Sequence, residues 1–265
     1  MNWELFEKES TSYLNSTFGN DRISFQLQGS HDSTVADIKT YIDGNFKFSI
    51  EVKKKSAQSG QFVLLDNGNQ FIYSPKNKSD INEFSRLILE YMNKNYSTYR
   101  DVSTNALEIA LPQKIFESWI KNHYLNKEVK YIITNNDSNY IIFPLDKYGE
   151  YFNIKANFRI KGSGSSNMPK SDQEVFSNLI KDKYCDNEIT FDGKKAYCII
   201  DTDIPDKSKI FCNKNNRRYQ LNKISPKKYE IRKLSNTRNA NVIFSIELIA
   251  NQFVDDLNKF KSEFK

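Results

Sequence analysis

Histidine is almost missing from this chain: of 265 residues, only His31 and His123 are histidines. Catalysis by paired imidazoles, or by zinc held on several of them, therefore lacks its side chains. Cysteine is nearly as scarce. Cys185, Cys198 and Cys212 are odd in number and widely spaced, which argues against a disulfide framework or a zinc knuckle and leaves reduced thiols. There is no G-x-S-x-G elbow, no G-x-x-x-x-G-K-[ST] phosphate loop and no G-x-G-x-x-G, so most common enzyme classes are unsupported. No run approaches the roughly 18 apolar residues of a membrane span. The opening MNWELFEKES has neither the basic segment nor the apolar stretch of a secretory signal. A cytoplasmic protein with no membrane partner is expected.

What is present is a surplus of positive charge. Lys and Arg number 39 against 33 Asp and Glu, giving a formal charge of +6 and a pI near 8.9. An anionic polymer is the simplest partner for such a balance. Hydrophobic residues at 38%, with 14% aromatic, suffice for a sizeable core.

Hydrophobic periodicity predicts an opening helix through NWELFEKESTSYLNSTFG, with Trp3, Phe6, Tyr13 and Leu14 on one face and Gly19 as its stop. Strand-like runs RISFQLQ and TVADIKTYI follow. Asp43 and Gly44 then predict a hairpin turn into FKFSIEVKK, where Phe46, Phe48, Ile50 and Val52 alternate with polar residues as one buried face. A helix over SDINEFSRLILEYMNKN would be capped by Ser79 or Asp80 and bury Ile81, Phe84, Leu87, Ile88 and Tyr91. Another is expected at PQKIFESWIKNHYL, with His123 as a packing or surface residue.

Beyond about residue 126 the chain turns strand-rich: VKYIIT, NYIIFPL and YFNIKANFRI, the last with a core face and a basic face. GSGSS at 162–166 reads as a flexible loop or, more sharply, as backbone amides approaching a phosphate. Residues 206–239 hold eleven Lys or Arg against only Asp206 and Glu230, a small β-rich unit studded with positive charge, and the chain closes on a strand running into a helix.

The chemistry is expected at Glu51 and Lys53. Two residues apart on a strand, they share a face, with Cβ atoms roughly 6.5–7 Å apart. Pairing symmetric about the Asp43–Gly44 turn brings Asp37 level with residue 50 or 51, so two carboxylates converge beside one lysine. Magnesium favours hard oxygen ligands and keeps several waters. Such an ion polarises a phosphoryl oxygen and acidifies bound water, while a lysine orients or deprotonates that water and offsets charge in the transition state. This is phosphodiester hydrolysis without histidine or cysteine. The bland alternative is a solvated cross-strand face in a basic binding protein.

The order helix, strand, strand with Asp37, strand with Glu51-Val52-Lys53, then helix resembles the PD-(D/E)XK nuclease superfamily, whose best-known members are type II restriction endonucleases. The resemblance covers about the first 95 residues. It implies an α/β or α+β fold in which helices flank a mixed sheet of about five strands. It also implies Mg2+ held by Asp37, Glu51 and the Val52 carbonyl, with Lys53 acting on the water, Glu7 after Phe6 as the supporting glutamate and Gln58 or Gln61 as the polar residue after the motif. Ala36 stands where the family often has proline, and Asp32 competes for the metal.

On this reading residues 1–125 are the nuclease core. Residues 126–265 form a β-rich basic region for DNA recognition, able to pack as one unit with the core. Arg217, Arg218, Arg232, Lys233 and Arg238 are candidates for double-stranded DNA contacts, joined by Arg159 and Lys161. The implied function is a type II site-specific endonuclease, as a possible homodimer, alongside a cognate methyltransferase that is not stably bound. The rivals are a structure-specific repair or phage nuclease and a non-catalytic DNA-binding protein on a nuclease scaffold.

Overall fold

The computed structural model describes residues 3–28, 34–101, 106–162, 164–184, 187–234 and 238–265, the side chains of 161, 162, 187, 238 and 239 excepted. The expectation for Asp32 therefore lies outside the described residues, as do the side chains of Lys161 and Arg238.

Helix α1 (Trp3–Phe18) leads into strands β1 (Ile23–Leu27), β2 (Ile38–Ile42) and β3 (Asn45–Val52). Asp43 and Gly44 have φ of 51° and 76°, the two left-handed residues that a tight two-residue hairpin turn demands. Arg22 clamps the Asp43 carboxylate with bonds of 2.8 and 2.9 Å. Next come β4 (Ser56–Asp66), β5 (Phe71–Tyr73), α2 (Glu83–Lys94), α3 (Tyr96–Arg100), β6 (Leu107–Glu108), α4 (Gln113–Leu125), β7 (Val129–Asn135), β8 (Tyr140–Pro144), α5 (Tyr148–Tyr151) and β9 (Phe152–Gly162). The lysine-rich part contains β10 (Ser165–Asn167), α6 (Gln173–Tyr184), β11 (Asn187–Asp192), β12 (Lys195–Ile200), β13 (Ser208–Cys212), β14 (Arg217–Ser225) and β15 (Lys228–Leu234). Strand β16 (Arg238–Leu248) and helix α7 (Val254–Ser262) follow it.

The chain divides into two compact units, residues 1–160 with 240–265, and residues 161–239. The boundary expected after residue 125 falls inside the first unit. Its cause is β7, which lies parallel to β3 with Glu51 level with Ile132 and Val52 with Ile133. That pairing completes a mixed sheet, β1-β2-β3-β7-β8, the five-stranded sheet expected of the fold. A second sheet of the same unit runs β5-β4-β16-β9-β6.

Two cores flank the first sheet. Phe6 and Leu14 of α1 and Phe260 of α7 pack with Phe48, Ile50, Val52, Tyr131 and Ile133 in one. Ile132 and Phe143 join Trp119, Ile120, Tyr148 and Phe244 in the other. The segment Phe48–Val52 is thus buried on both faces, not on one as its alternation predicts.

Phe46 departs from that alternation too. Tyr41 pairs with Phe46 and Thr40 with Phe48, leaving Lys47 as an extra residue, a β-bulge. The bulge turns Phe46 away from the core face and towards Tyr41 and Lys39, where it is 36% exposed. Helix α2 also starts later than expected. Its cap is Asn82, whose side chain accepts the Ser85 N–H at 2.8 Å while the Ser85 hydroxyl accepts the Asn82 N–H at 2.9 Å. The inward face accordingly holds Ser85, Ile88 and Met92, and Leu87 is exposed.

In the second unit β11-β12-β15-β14-β13 form a sheet, and β10 pairs with β15. The expected GSGSS loop is here partly strand: Ser165, Ser166 and Asn167 lie opposite Leu234, Lys233 and Arg232. Phe176 and Ile180 of α6 pack with Ala196, Cys198, Tyr219, Leu221, Tyr229 and Ile231 as this unit's core.

Candidate active site

The bulge at Lys47 decides which residues meet. Counted from the turn without it, Asp37 would stand level with Ile50. With it Ile38 takes that place, and Asp37 comes level with Glu51. The Asp37 Oδ2 accepts the Val52 N–H at 2.8 Å. Lys53 Nζ donates to Glu51 Oε1 at 2.6 Å and to the Val52 carbonyl at 3.2 Å. Its ammonium also lies between two rings, 5.2 Å from the centre of Trp3 and 5.3 Å from that of Tyr124. Asp37, Glu51 and Lys53 therefore converge, with the Val52 carbonyl among them.

Burial makes this cluster electrostatically tense. Glu51 and Lys53 are 4% and 5% exposed. Burial, then the Glu51 charge, push the Asp37 carboxyl up to about 7 against the pull of Lys53 and of the Val52 amide. Burial disfavours the Lys53 ammonium, but Glu51 and Asp37 outweigh it and hold its proton more tightly than usual. Glu7, buried on α1, is raised by desolvation, with Lys53 and a hydrogen bond from Trp3 as the offsets and Glu51 as a further repulsion. Behind the cluster the buried Ser59 hydroxyl bonds the phenols of Tyr124 at 2.9 Å and Tyr148 at 2.6 Å.

Glu51 and Lys53 open into a cavity of about 390 Å³ that is also lined by Gln58, Gly60, Gln61, Lys76, Asn77, Lys78, Ser79, Trp119, His123 and Lys127. A second bulge shapes it. Ile243 pairs with Gln61 and Ser245 with Gln58, so β4 carries one residue too many around Ser59–Gly60. Gly60 has φ of 119°, and a Cβ there would fall 2.7 Å from Trp119 Cζ3. Both glutamines reach the cavity as a result, joined by a bond of 3.2 Å from Gln58 Nε2 to Gln61 Oε1. His123 stacks on Trp119 at 5.2 Å, and burial together with Lys127 lowers its imidazole to about 4, so it is neutral. Sequence reasoning missed Tyr124, Lys76, Lys78 and Lys127. The last three belong to no motif, and only the fold gathers them.

No protein-family model matches the chain, and no curated protein sequence matches it either. A solved structure does: HhaI endonuclease in complex with DNA is 37% identical, with a TM-score of 0.77, over 100% of this chain and 98% of that one. The chain belongs to the type II restriction endonucleases of the PD-(D/E)XK superfamily. Its mixed α/β architecture agrees with that membership.

This family typically uses a divalent metal, and the donor set of this restriction endonuclease fits one. Glu51 Oε2 is buried with no hydrogen-bond partner, an expense that a cation would relieve. The Asp37 carboxyl, raised by burial and then by the Glu51 carboxylate, points the same way. Among the described residues no three His, Cys, Asp or Glu gather as a metal cluster. Two carboxylates and a carbonyl suit an ion that keeps much of its water, as magnesium does.

In the restriction endonuclease's second unit, the expected DNA contacts Arg217 and Arg232 are bonded within the protein. Arg217 pairs with Asp172, which also accepts the Tyr219 hydroxyl at 2.9 Å. Arg232 bonds Ser165 and Asn167 and lies 3.1 Å from Glu230. Lys233 sits on β15 and Arg218 on β14, level with Tyr219 and Leu234 respectively, while Arg159 is exposed on β9 of the first unit. No helix of the described residues is long and apolar enough to cross a membrane.

Proposed function

We propose that this protein is a magnesium-dependent endonuclease that cuts double-stranded DNA at a specific sequence, with Asp37, Glu51 and Lys53 as its catalytic residues. The observation that carries the reading is Glu51, a buried carboxylate with one oxygen on Lys53 and the other unpartnered, in a chain similar throughout to an endonuclease solved with DNA.

Magnesium bound by the Asp37 and Glu51 carboxylates and the Val52 carbonyl would polarise a phosphoryl oxygen and favour ionisation of water. The chain's own groups do the rest. Lys53, bonded to Glu51 and to the Val52 carbonyl, orients the attacking water and offsets charge that builds on the phosphoryl oxygens. Gln58 and Gln61 present amides along the cavity, and Glu7 supports Lys53 from α1. Water bonds to phosphorus and releases one proton to solvent, the bond to the leaving oxygen breaks, and that oxygen takes a proton from solvent.

Arg159, Lys161, Arg217, Arg218, Arg232, Lys233 and Arg238 are assigned to the grip on the duplex, Arg217 and Arg232 through the surface they brace. The enzyme works in the cytoplasm, where a cognate methyltransferase protects host DNA. One chain carries one Asp37–Glu51–Lys53 cluster, so a double-strand cut takes two chains together or two successive visits. Accumulation of nicked plasmid separates those routes. The deciding experiment is purified protein with plasmid and magnesium. Discrete fragments are expected, and a smear, or a demand for branched DNA, would reject site-specific restriction.

A further inference from the structure

We infer that Lys76, Lys78 and Lys127 form a phosphate cradle for the strand being cut, gripping backbone phosphates beside the one at Lys53. This rests on the endonuclease reading and adds to it a binding site at the far wall of the same cavity.

Charge is the first argument. The lining holds four lysines, Lys53, Lys76, Lys78 and Lys127, against one carboxylate, Glu51. A cleft lined by one sign of charge with low-dielectric walls focuses its field, and the ligand class it selects is a polyanion. Lys53 is bonded to Glu51 at 2.6 Å. Lys76, Lys78 and Lys127 line the same cavity.

Rigidity is the second. Lys76 and Lys78 flank Asn77, whose side chain mimics a strand partner: its Oδ1 accepts the Val63 N–H at 2.7 Å and its Nδ2 donates to the Val63 carbonyl at 2.8 Å. The segment is pinned again where the Tyr73 hydroxyl donates to the Ser79 carbonyl at 3.0 Å, and where the Asn77 N–H reaches the Ser74 carbonyl at 3.1 Å. A loop tied to β4 in this way holds two exposed lysine stems at fixed bases. Asn77 is thus a positioning residue. Lys127 faces the cavity from the end of α4, its ammonium 5.6 Å from the Tyr124 ring, which also lies beside Lys53. The neutral His123 adds no charge to this wall.

The test is the salt dependence of DNA binding by the full chain. The probe is a fluorescent duplex of randomised sequence, several helical turns long, titrated in calcium from low to physiological salt. Each phosphate deprived of its lysine should lower the slope of log affinity against log salt by about 0.9, so a fourfold rise in salt should cost each variant about 3.5-fold less per lysine removed. Lys127→Ala should reduce the slope by that amount, and Lys76→Ala with Lys78→Ala by about twice as much. Lys94→Ala, exposed at the end of α2, should leave it unchanged. Asn77→Ala, which keeps every charge, should weaken binding with little change of slope. Unchanged slopes in all the lysine variants overturn the cradle, as does a loss shared equally by Lys94→Ala, or a parent protein that does not bind. Plasmid cleavage in magnesium is read separately. Cutting with unchanged slopes rejects the cradle alone, and lowered slopes without cutting reject the endonuclease reading alone.

Discussion

Asp37 reaches the Val52 amide at 2.8 Å because Lys47 has no partner across the hairpin. One unpaired residue shifts the ladder by one step, and a one-step shift exchanges the faces of a strand. Without it, Asp37 would meet Ile50 and point at the helical core instead of at Glu51.

Loss of the trio should therefore abolish chemistry and spare binding. Asp37→Asn, Glu51→Gln and Lys53→Ala are each expected to slow cleavage by about 10²–10⁴-fold. Affinity for duplex DNA in calcium should stay within a few-fold of the parent. Single-turnover cleavage and fluorescence anisotropy measure the two, and a variant cutting at the parent rate removes its residue from the site.

Glu51 and Lys53 should prove coupled in stability as well. Lys53→Met strands a buried carboxylate, and Glu51→Gln strands a buried ammonium, each at a cost of about 3–5 kcal/mol. The double variant contains neither charge and should lose much less than the sum. Urea denaturation of all four proteins gives the coupling, and additivity would mean the pair does not hold together in solution.

The metal-free protein should weaken as the pH rises from acid to neutral. Asp37 is raised from 3.8 to about 7 in the folded state. Between those values the folded chain holds a proton that the unfolded chain has released, so stability is full below about pH 4 and declines up to about pH 7. The decline is of order 4 kcal/mol at most. Asp37→Asn should flatten it. Magnesium or calcium, competing with that proton, should raise the melting temperature more at alkaline than at acidic pH, and an equal rise on both sides of neutrality would contradict the assignment.

Gly60 and Gly44 offer a contrast. Both have positive φ, but a Cβ at Gly44 meets nothing within 4 Å, whereas at Gly60 it strikes the Trp119 ring. Gly44→Ala should cost about 1 kcal/mol of strain. Gly60→Ala should cost roughly 2–4 kcal/mol and also slow cleavage, because Gln58 and Gln61 would lose their common face. Thermal melts with parallel cleavage assays test this, and equal losses would show that Trp119 yields.

The hairpin, the Asp-Gly turn and the Glu-x-Lys strand are written locally, so they are readable from β2 and β3 alone. What counting cannot see is an unpaired residue. Lys47 hid the true face of Phe46, and the extra residue at Ser59–Gly60 hid that Gln58 and Gln61 share a face. The boundary expected at residue 125 differs from the observed one for a related reason. Parallel pairing of β7 with β3 is a long-range choice that neither strand announces, and the apolar run KYIIT suits many partners. Basic side chains were visible as charge, but whether an arginine meets DNA or a neighbour such as Asp172 depends on strands that only the folded sheet brings level.

Phe260 of α7 closes the aromatic cluster of Phe18, Phe25, Phe48 and Tyr131 beneath the strand that bears Glu51. A nascent chain still short of Val254 cannot seal that floor, since α7 emerges from the ribosome after every other part of the cluster. Synthesis is thus past all three sheets before the floor beneath Glu51 is complete.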